Sequence, residues 1–183
     1  DSDLLNTHLG ADCRLGLAGD HQRGNAAVAL RAAQLLLGGV DPSCSRQALA
    51  ATTLPGRCQL LDQGSRRLLI DGAHNGPSIA ATLRVASRQL RPGWRLAIGL
   101  ATDKDLAPIL TAINEHSSTS DNPPATIQRC GYASERARGP DDWPGAPAWP
   151  WHERIVDFFN ESNDDLCITG SFYLAGEALD LVL

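Results

Sequence analysis

The stretch Arg67 to Ser78, Arg-Leu-Leu-Ile-Asp-Gly-Ala-His-Asn-Gly-Pro-Ser, constrains the fold more than any other part of the chain. Leu68 to Ile70 form a short apolar run that ends in a carboxylate, Asp71. A glycine, a histidine and a helix start with Pro77 in its first turn follow. This reads as strand, tight turn, helix, the unit from which open parallel sheets are built. Ligands of such sheets bind beyond the carboxyl ends of the strands. Asp71 and His74 would stand there, beside the amide donors of a helix N-terminus, a place suited to a nucleotide's ribose or phosphates. The plainer alternative is that Asp71 and Asn75 serve only as turn and cap residues.

The alternation continues on both sides. Cys58–Leu61 and Arg67–Ile70 flank Asp62-Gln-Gly-Ser65 and predict a β-hairpin. A helix is predicted from about Pro77 to Leu90, then a strand over Trp94–Leu100, a helix over Asp105–Ile113 and a polar loop over Ser117–Pro124. Strands over Ala125–Cys130 and Leu166–Thr169 and helices over His152–Asn160 and Phe172–Leu183 complete this half. Between them Glu135–Trp149, rich in Pro, Gly and Trp, predicts an irregular surface excursion. Upstream, Arg14–Ala18 suggests a short strand and Ser45–Ala51 a helix. Asn25–Leu37 predicts a buried helix, apolar almost all round and stopped by Gly38-Gly39. The expected fold is α/β: a Rossmann-like, mostly parallel sheet with helices on both faces and one N-terminal β-hairpin.

With 183 residues and 43% hydrophobic content, the chain supports one sizeable core and little more. A net charge of −5 without a basic tract argues against a nucleic-acid or membrane partner, and no apolar run approaches membrane-spanning length. Cys13, Cys44, Cys58, Cys130 and Cys167 stand singly, so neither a zinc site nor a disulfide framework is expected. Free, mostly buried thiols in a reducing compartment fit this spacing. The chain begins at Asp1 and has no methionine, from which we expect a piece of a larger protein.

Three strand ends carry polar residues into the next helix: Asp71-Gly-Ala-His-Asn75, Ala101-Thr-Asp-Lys-Asp105 and Thr169-Gly-Ser171. A parallel sheet puts all three on one edge, where a carboxylate, an imidazole, an ammonium and a hydroxyl share a crevice. Taken singly, Lys104, the only lysine, reads as a solvated surface residue and Ser171 as a helix cap.

Read in order, five segments resemble the C-terminal domain of folylpolyglutamate synthase and dihydrofolate synthase, within the wider Mur ligase family. They are Gly19-Asp-His-Gln-Arg-Gly-Asn-Ala26, Leu54-Pro-Gly-Arg57, Asp71-Gly-Ala-His-Asn75, Asp103-Lys-Asp105 and Thr169-Gly-Ser-Phe-Tyr-Leu-Ala-Gly-Glu177. His21-Gln22 and Asp71-Gly-Ala-His-Asn75 look like the folate branch; the peptidoglycan ligases usually show His-Asn and Asp-Tyr-Ala-His there. Two departures stand out. The Asn-Pro of the histidine motif is here Asn75-Gly76-Pro77, and Glu135–Trp151 has no family counterpart that aligns.

The resemblance implies that residues 19–183 are the C-terminal, glutamate-ligase domain, and residues 1–18 a lead-in from a missing N-terminal P-loop ATPase domain. No Gly-x-x-x-x-Gly-Lys-Ser/Thr occurs in this chain, and Lys104 is followed by Asp105. ATP and Mg2+ are the implied cofactors, with the magnesium ligands in the missing domain and no metal ligand assigned here. The implied reaction adds L-glutamate to a pteroate or folate carboxylate through an acyl phosphate, in the cytoplasm or in an organellar matrix or stroma. Carried over by position, Asn25 would meet the adenine edge, Arg57 a phosphate and Asp71 the ribose hydroxyls, the three sharing one nucleotide-facing surface. His74 would lie near the phosphates or the acyl phosphate as the catalytic residue, and Lys104 and Ser171 would hold the incoming amino acid's carboxylate. The competing assignments are a helix N-cap for Asn25, a surface ion pair for Arg57 and a structural loop hydrogen bond for His74. Without the missing domain the chain is expected to be inactive. The rival functions are a non-catalytic nucleotide-binding α/β module, another Mur-type amino-acid ligase, and a serine hydrolase using Ser171 and His74. The last lacks the Gly-x-Ser-x-Gly elbow.

Overall fold

In a computed structural model, which describes residue 10 and residues 13–183, the apolar run before Asp71 forms β2 (Arg67–Ile70) of a six-stranded sheet. The other strands are β1 (Gln59–Asp62), β3 (Arg95–Ile98), β4 (Thr126–Cys130), β5 (Trp151–His152) and β6 (Leu166–Thr169), in the spatial order β1-β2-β6-β3-β4-β5. β1 and β2 form the expected antiparallel hairpin, with Gln59 opposite Ile70 and Asp62 opposite Arg67. Every other pairing is parallel. The last strand, β6, enters between β2 and β3, so strand ends distant in sequence become neighbours at the carboxyl edge. A crevice forms at such a reversal of strand order.

Helices cover both faces. α3 (Gly76–Gln89) packs on α4 (Leu106–Thr119), while α5 (Ile155–Asn160) packs on α6 (Phe172–Asp180). Leu68, Ile70, Ala97 and Ile168 join Phe158, Leu174 and Ala178 in one core cluster. Leu69, Leu96, Ile98 and Cys167 alternate with them along the strands and face the other side. All are fully buried, as expected of parallel strands covered on both faces. The starts of α3, α4 and α6 are fixed by side chains: Asn75 and Ser78 form a capping box on α3, Asp105 caps α4 and Ser171 caps α6.

The residues divide into two compact units, Asp1–Pro55 and Gly56–Leu183, the sheet lying in the second. The first holds α1 (His21–Leu37) and α2 (Pro42–Ala51). α1 ends as predicted, with Gly38 left-handed at φ 72° and its amide bonded to Gln34. The predicted all-round burial is wrong. Only Gln22, Ala26 and Leu30 are buried, packed against Cys13, Leu15 and Leu49, while Leu35, Leu36 and Leu37 are exposed. One packing layer covers one stripe of a helix, whatever its composition. The strand expected over Arg14–Ala18 is absent. Gly16 instead bonds its amide to Leu49 O and lies so close to α2 that a Cβ would stand 2.3 Å from Thr52 O. Of the lead-in, residues 1–9, 11 and 12 lie outside the described residues.

Two boundaries in the second unit also differ from the sequence reading. α4 runs on through Ser117–Thr119, where the Ser118 and Thr119 hydroxyls bond back to carbonyls of the preceding turn. Trp151 and His152 form the edge strand β5 rather than a helix start, so α5 begins only at Ile155.

The amino-terminal ends of the strands are tied by Asp165. Its buried carboxylate accepts from the Arg67 and Arg91 amides, each at 2.8 Å, and from the Arg91 guanidinium. Burial pushes this carboxyl up, but the Arg91 and Arg67 hydrogen bonds outweigh it and hold the group at about 2. A depressed carboxylate stabilises the fold above its unfolded value, near 3.8, and loses that contribution as pH falls through 2. Replacement Asp165→Asn is expected to cost about 2–3 kcal/mol at pH 7 in urea unfolding. The gap from the parent should narrow between about pH 4 and 2. A gap independent of pH would contradict this assignment.

Candidate functional site

Asp71 ends β2 as a buried carboxylate. Oδ2 accepts from the Cys58 amide at 2.7 Å, and Oδ1 from the Ala73 amide at 2.9 Å and the Thr82 hydroxyl at 2.7 Å. The turn before β1, the β2–α3 turn and α3 itself are thus tied to one side chain. Cys58 has a positive φ of 43°, sparsely populated for a residue with a side chain, and Gly56 two residues earlier is left-handed at φ 67°. Arg57, between them, is exposed and lays its guanidinium over the Phe172 ring at 4.4 Å. This cation–π contact replaces the ion pair considered from sequence. Phe172 is held from below by Gly72, where a Cβ would stand 2.5 Å from the ring.

His74 follows in the same turn. Nδ1 lies 2.9 Å from Gly72 O, a carbonyl that can only accept, so Nδ1 carries the proton and Nε2 is left as an acceptor. The ring borders a cavity of about 160 Å3 at the carboxyl edge, with Lys104, Tyr132, Arg136, Ser171 and Tyr173. Of the four groups expected in one crevice, the imidazole, the ammonium and the hydroxyl border it; the Asp71 carboxylate does not, because it is buried under its own hydrogen bonds. Lys104 is half-buried and pairs with Asp103 at 3.4 Å, while the Ser171 hydroxyl accepts from the Tyr173 amide at 3.1 Å as a helix cap.

Asn25 lies in the first unit. It sits in the second turn of α1, so the N-cap alternative is wrong; Asp20 holds that position. Its Nδ2 donates to Gln22 Oε1 at 2.9 Å. Both residues border a second cavity, about 250 Å3, whose walls include Leu15, Leu17, Leu49 and Leu54.

Tyr132, Arg136, Phe172 and Tyr173 did not stand out in the sequence. The first two are brought in by the excursion after β4, which is more than a surface loop: Trp143 and Arg138 within it are buried. Arg138 donates to Thr102 O, Lys104 O and Asp142 O, stapling the excursion to the Lys104 loop. All five cysteines are free. Burial first, then nearby carboxylates, push the Cys58 and Cys130 thiols up to about 12, so neither is a nucleophile. Among the described residues no group of three or more His, Cys, Asp or Glu is placed to hold a metal ion, and no helix is long and apolar enough to cross a membrane.

No family model matches the chain. Folylpolyglutamate synthase of Lacticaseibacillus casei is 27% identical over 184 residues, 94% of this chain and 41% of that protein. A UDP-N-acetylmuramoyl-L-alanyl-D-glutamate–2,6-diaminopimelate ligase of Corynebacterium efficiens is 33% identical over 127 residues, 62% of this chain and 24% of that protein. The crystal structure of Mycobacterium tuberculosis folylpolyglutamate synthase complexed with ADP and AMPPCP shares the fold, with a TM-score of 0.76 at 23% identity. The match covers 93% of this chain and 42% of that one. The chain thus spans about two-fifths of the folylpolyglutamate synthases it resembles.

The triple role of Asp71 makes a stability prediction. In Asp71→Asn one oxygen becomes a donor facing amide or hydroxyl donors, at a cost of about 2–3 kcal/mol in chemical denaturation; Thr82→Val should cost about 1 kcal/mol. In the Asp71 variant the released turn should let Cys58 react faster with a thiol reagent, read by mass spectrometry on that residue. Unchanged stability and unchanged Cys58 protection would show that Asp71 does not hold the turn.

Proposed function

We propose that this chain, a homologue of part of the folylpolyglutamate synthases and of the Mur-type ligases, is the C-terminal half of an ATP-dependent ligase that adds L-glutamate to a pteroate or folate carboxylate. In this reading residues 19–183 form the glutamate-ligase domain, and an N-terminal P-loop ATPase domain supplies the magnesium ligands and most of the folate pocket. The observation that carries it is the cavity at the carboxyl edge. An imidazole, an ammonium and a hydroxyl from three strand ends border one space, of a size and polarity that suit an amino acid.

The reaction joins an amine to a carboxylate that ATP has activated as an acyl phosphate; phosphate leaves after a tetrahedral intermediate. It calls for positioning and charge stabilisation rather than a covalent nucleophile. Lys104 and the Ser171 hydroxyl hold the amino acid's carboxylate. The free Nε2 of His74 accepts a proton from the ammonium, which leaves the amine able to attack. Arg57, exposed over the Phe172 ring, binds phosphate oxygens in bidentate fashion. Asp71 is the residue that meets the ribose hydroxyls in this reading. The residues of the first unit fit an adenine: leucines for its faces, and the Asn25 amide for its edge.

The isolated chain is expected to show no ATP- and glutamate-dependent ligation of pteroate or folate, and the chain joined to a P-loop ATPase domain to show it. Turnover by the isolated chain contradicts the two-domain reading. In the complete ligase Lys104→Ala should raise KM for glutamate about tenfold, roughly 1.4 kcal/mol, with KM for ATP unchanged. Lys104→Arg should rescue it poorly, since a planar fork does not replace a compact ammonium. Loss of ATP affinity instead would assign Lys104 to the phosphates, and no effect on either constant would make it a surface residue.

A further inference from the structure

The C-terminal ends of α3 and α4 lie together at the amino-terminal edge of the sheet, away from the candidate site. Asn122, just past α4, ties them there: it donates to Ser87 O and Leu90 O and accepts from the indole of Trp94, which precedes β3. A further cavity of about 360 Å3 opens between the two helix ends, larger than the one beside His74. Arg84, Ser87 and Arg88 line it from α3 and His116 from α4. On a helix, residues three and four apart share one face, so both guanidiniums and the hydroxyl look out together.

The imidazole is held in place. Its Nε2 lies 2.7 Å from Ser87 Oγ. Ser87 gives its only hydrogen to Asn122 O at 2.8 Å, a carbonyl that can only accept, so Nε2 carries the proton and donates to Ser87. Nδ1 has no hydrogen-bond partner among the described residues. Burial first, and then the Arg84 guanidinium, hold the His116 imidazole below its ordinary 6.5, so the ring is neutral at pH 7.

Cations in the last turn of a helix are favoured by the helix dipole, which accounts for Arg88 and His116. It does not account for Arg84, which stands a turn earlier, is exposed and has no carboxylate partner among the described residues. Arg84 is nevertheless near enough to His116 to oppose its protonation. Asp121 lines the same cavity but pairs with neither of them. Two groups that repel when both are charged thus share a space with no anion between them. The space is of the size that small-molecule sites occupy, about 300–1,000 Å3, and guanidinium forks match the oxygens of a phosphate.

We propose that Arg84, Arg88 and His116 form a binding site for a phosphate-class oxyanion, either free phosphate or the head of a phosphate monoester, at the edge of the sheet away from the candidate catalytic crevice. The guanidiniums receive the anion, and Nδ1 of His116 takes up a proton and donates to it. An anion between Arg84 and His116 offsets their repulsion, so binding and protonation strengthen each other and the affinity rises as pH falls. The charged groups around the imidazole are Arg84 and Arg88 from α3 and Asp121 from the loop after α4. The site needs neither ATP nor a second domain, and it stands independently of the ligase reading.

The test titrates the chain itself at constant ionic strength with inorganic phosphate, with ribose 5-phosphate and AMP, and with sulfate, whose charge is fixed over the pH range used. NMR follows the His116 ring, assigned with His116→Gln. Saturable shifts are expected, with sulfate binding at least about threefold tighter at about pH 5.5 than at about pH 7.5. Arg84→Gln should weaken every one of these anions about tenfold and Arg84→Lys less, while His116→Gln should abolish the pH dependence. Arg31→Gln, which removes the same charge from the exposed side of α1, should change nothing. Tighter binding of the two esters than of phosphate identifies a monoester as the ligand, and equal binding identifies free phosphate. Non-saturating shifts that chloride reproduces, or Arg84→Gln and His116→Gln variants that bind as the parent does, overturn the site and leave the ligase reading untouched. Thermal unfolding of each variant without anion separates lost binding from lost folding.

Discussion

The carboxylate of Asp71 accepts from the Cys58 amide, the Ala73 amide and the Thr82 hydroxyl, and the candidate site is arranged around these three bonds. Cys58 holds the turn that presents Arg57. Ala73 sits in the turn that presents His74. Thr82 anchors α3, whose first turn follows His74 directly. A buried charge is tolerated only when its acceptors are filled, so the same bonds that keep Asp71 inside the protein keep an arginine and a histidine at one edge of the sheet. Thr82 lies in the second turn of α3, close to the helix N-terminus, where the backbone dipole favours a negative charge.

Around this anchor the site is assembled from loops rather than from strands. β2, β3 and β6 end together, and the chain leaves each through a tight turn: Gly72 beneath the Phe172 ring, and Gly170 at φ 108°, where a Cβ would lie 2.3 Å from Gly99 O. These close approaches leave room for a small cavity and no more. Arg138 then brings the long excursion over the Lys104 loop. In a chain of net charge −5, Arg57, Lys104 and Arg136 gather at this edge, an arrangement that favours anionic ligands.

The alternation of apolar runs with helical periodicity made the sheet legible, and β6 (Leu166–Thr169) and the Arg67–Ile70 strand were read to the residue. That His74, Lys104 and Ser171 border one space also followed from their position just after strands, since a parallel sheet aligns those ends. What did not follow depends on tertiary partners. Burial of α1 was misjudged because composition says how apolar a helix is, not how many neighbours it has. The two-residue strand β5 is too short to carry a period. Arg136 and Tyr132 reach the cavity only through Arg138 and the stacking of Tyr132 on Tyr173, and neither contact leaves a trace in local sequence. Arg57 on Phe172 joins residues far apart in the chain, so the guanidinium's partner was equally hidden.

The most direct test of the account is a crystal structure of this chain joined to a P-loop ATPase domain, holding a non-hydrolysable ATP analogue and L-glutamate. The account predicts glutamate in the cavity bordered by His74, Lys104 and Ser171, its amine within hydrogen-bonding distance of His74 Nε2, and Arg57 on the nucleotide's phosphates. Glutamate bound elsewhere, with this cavity holding only solvent, would contradict it.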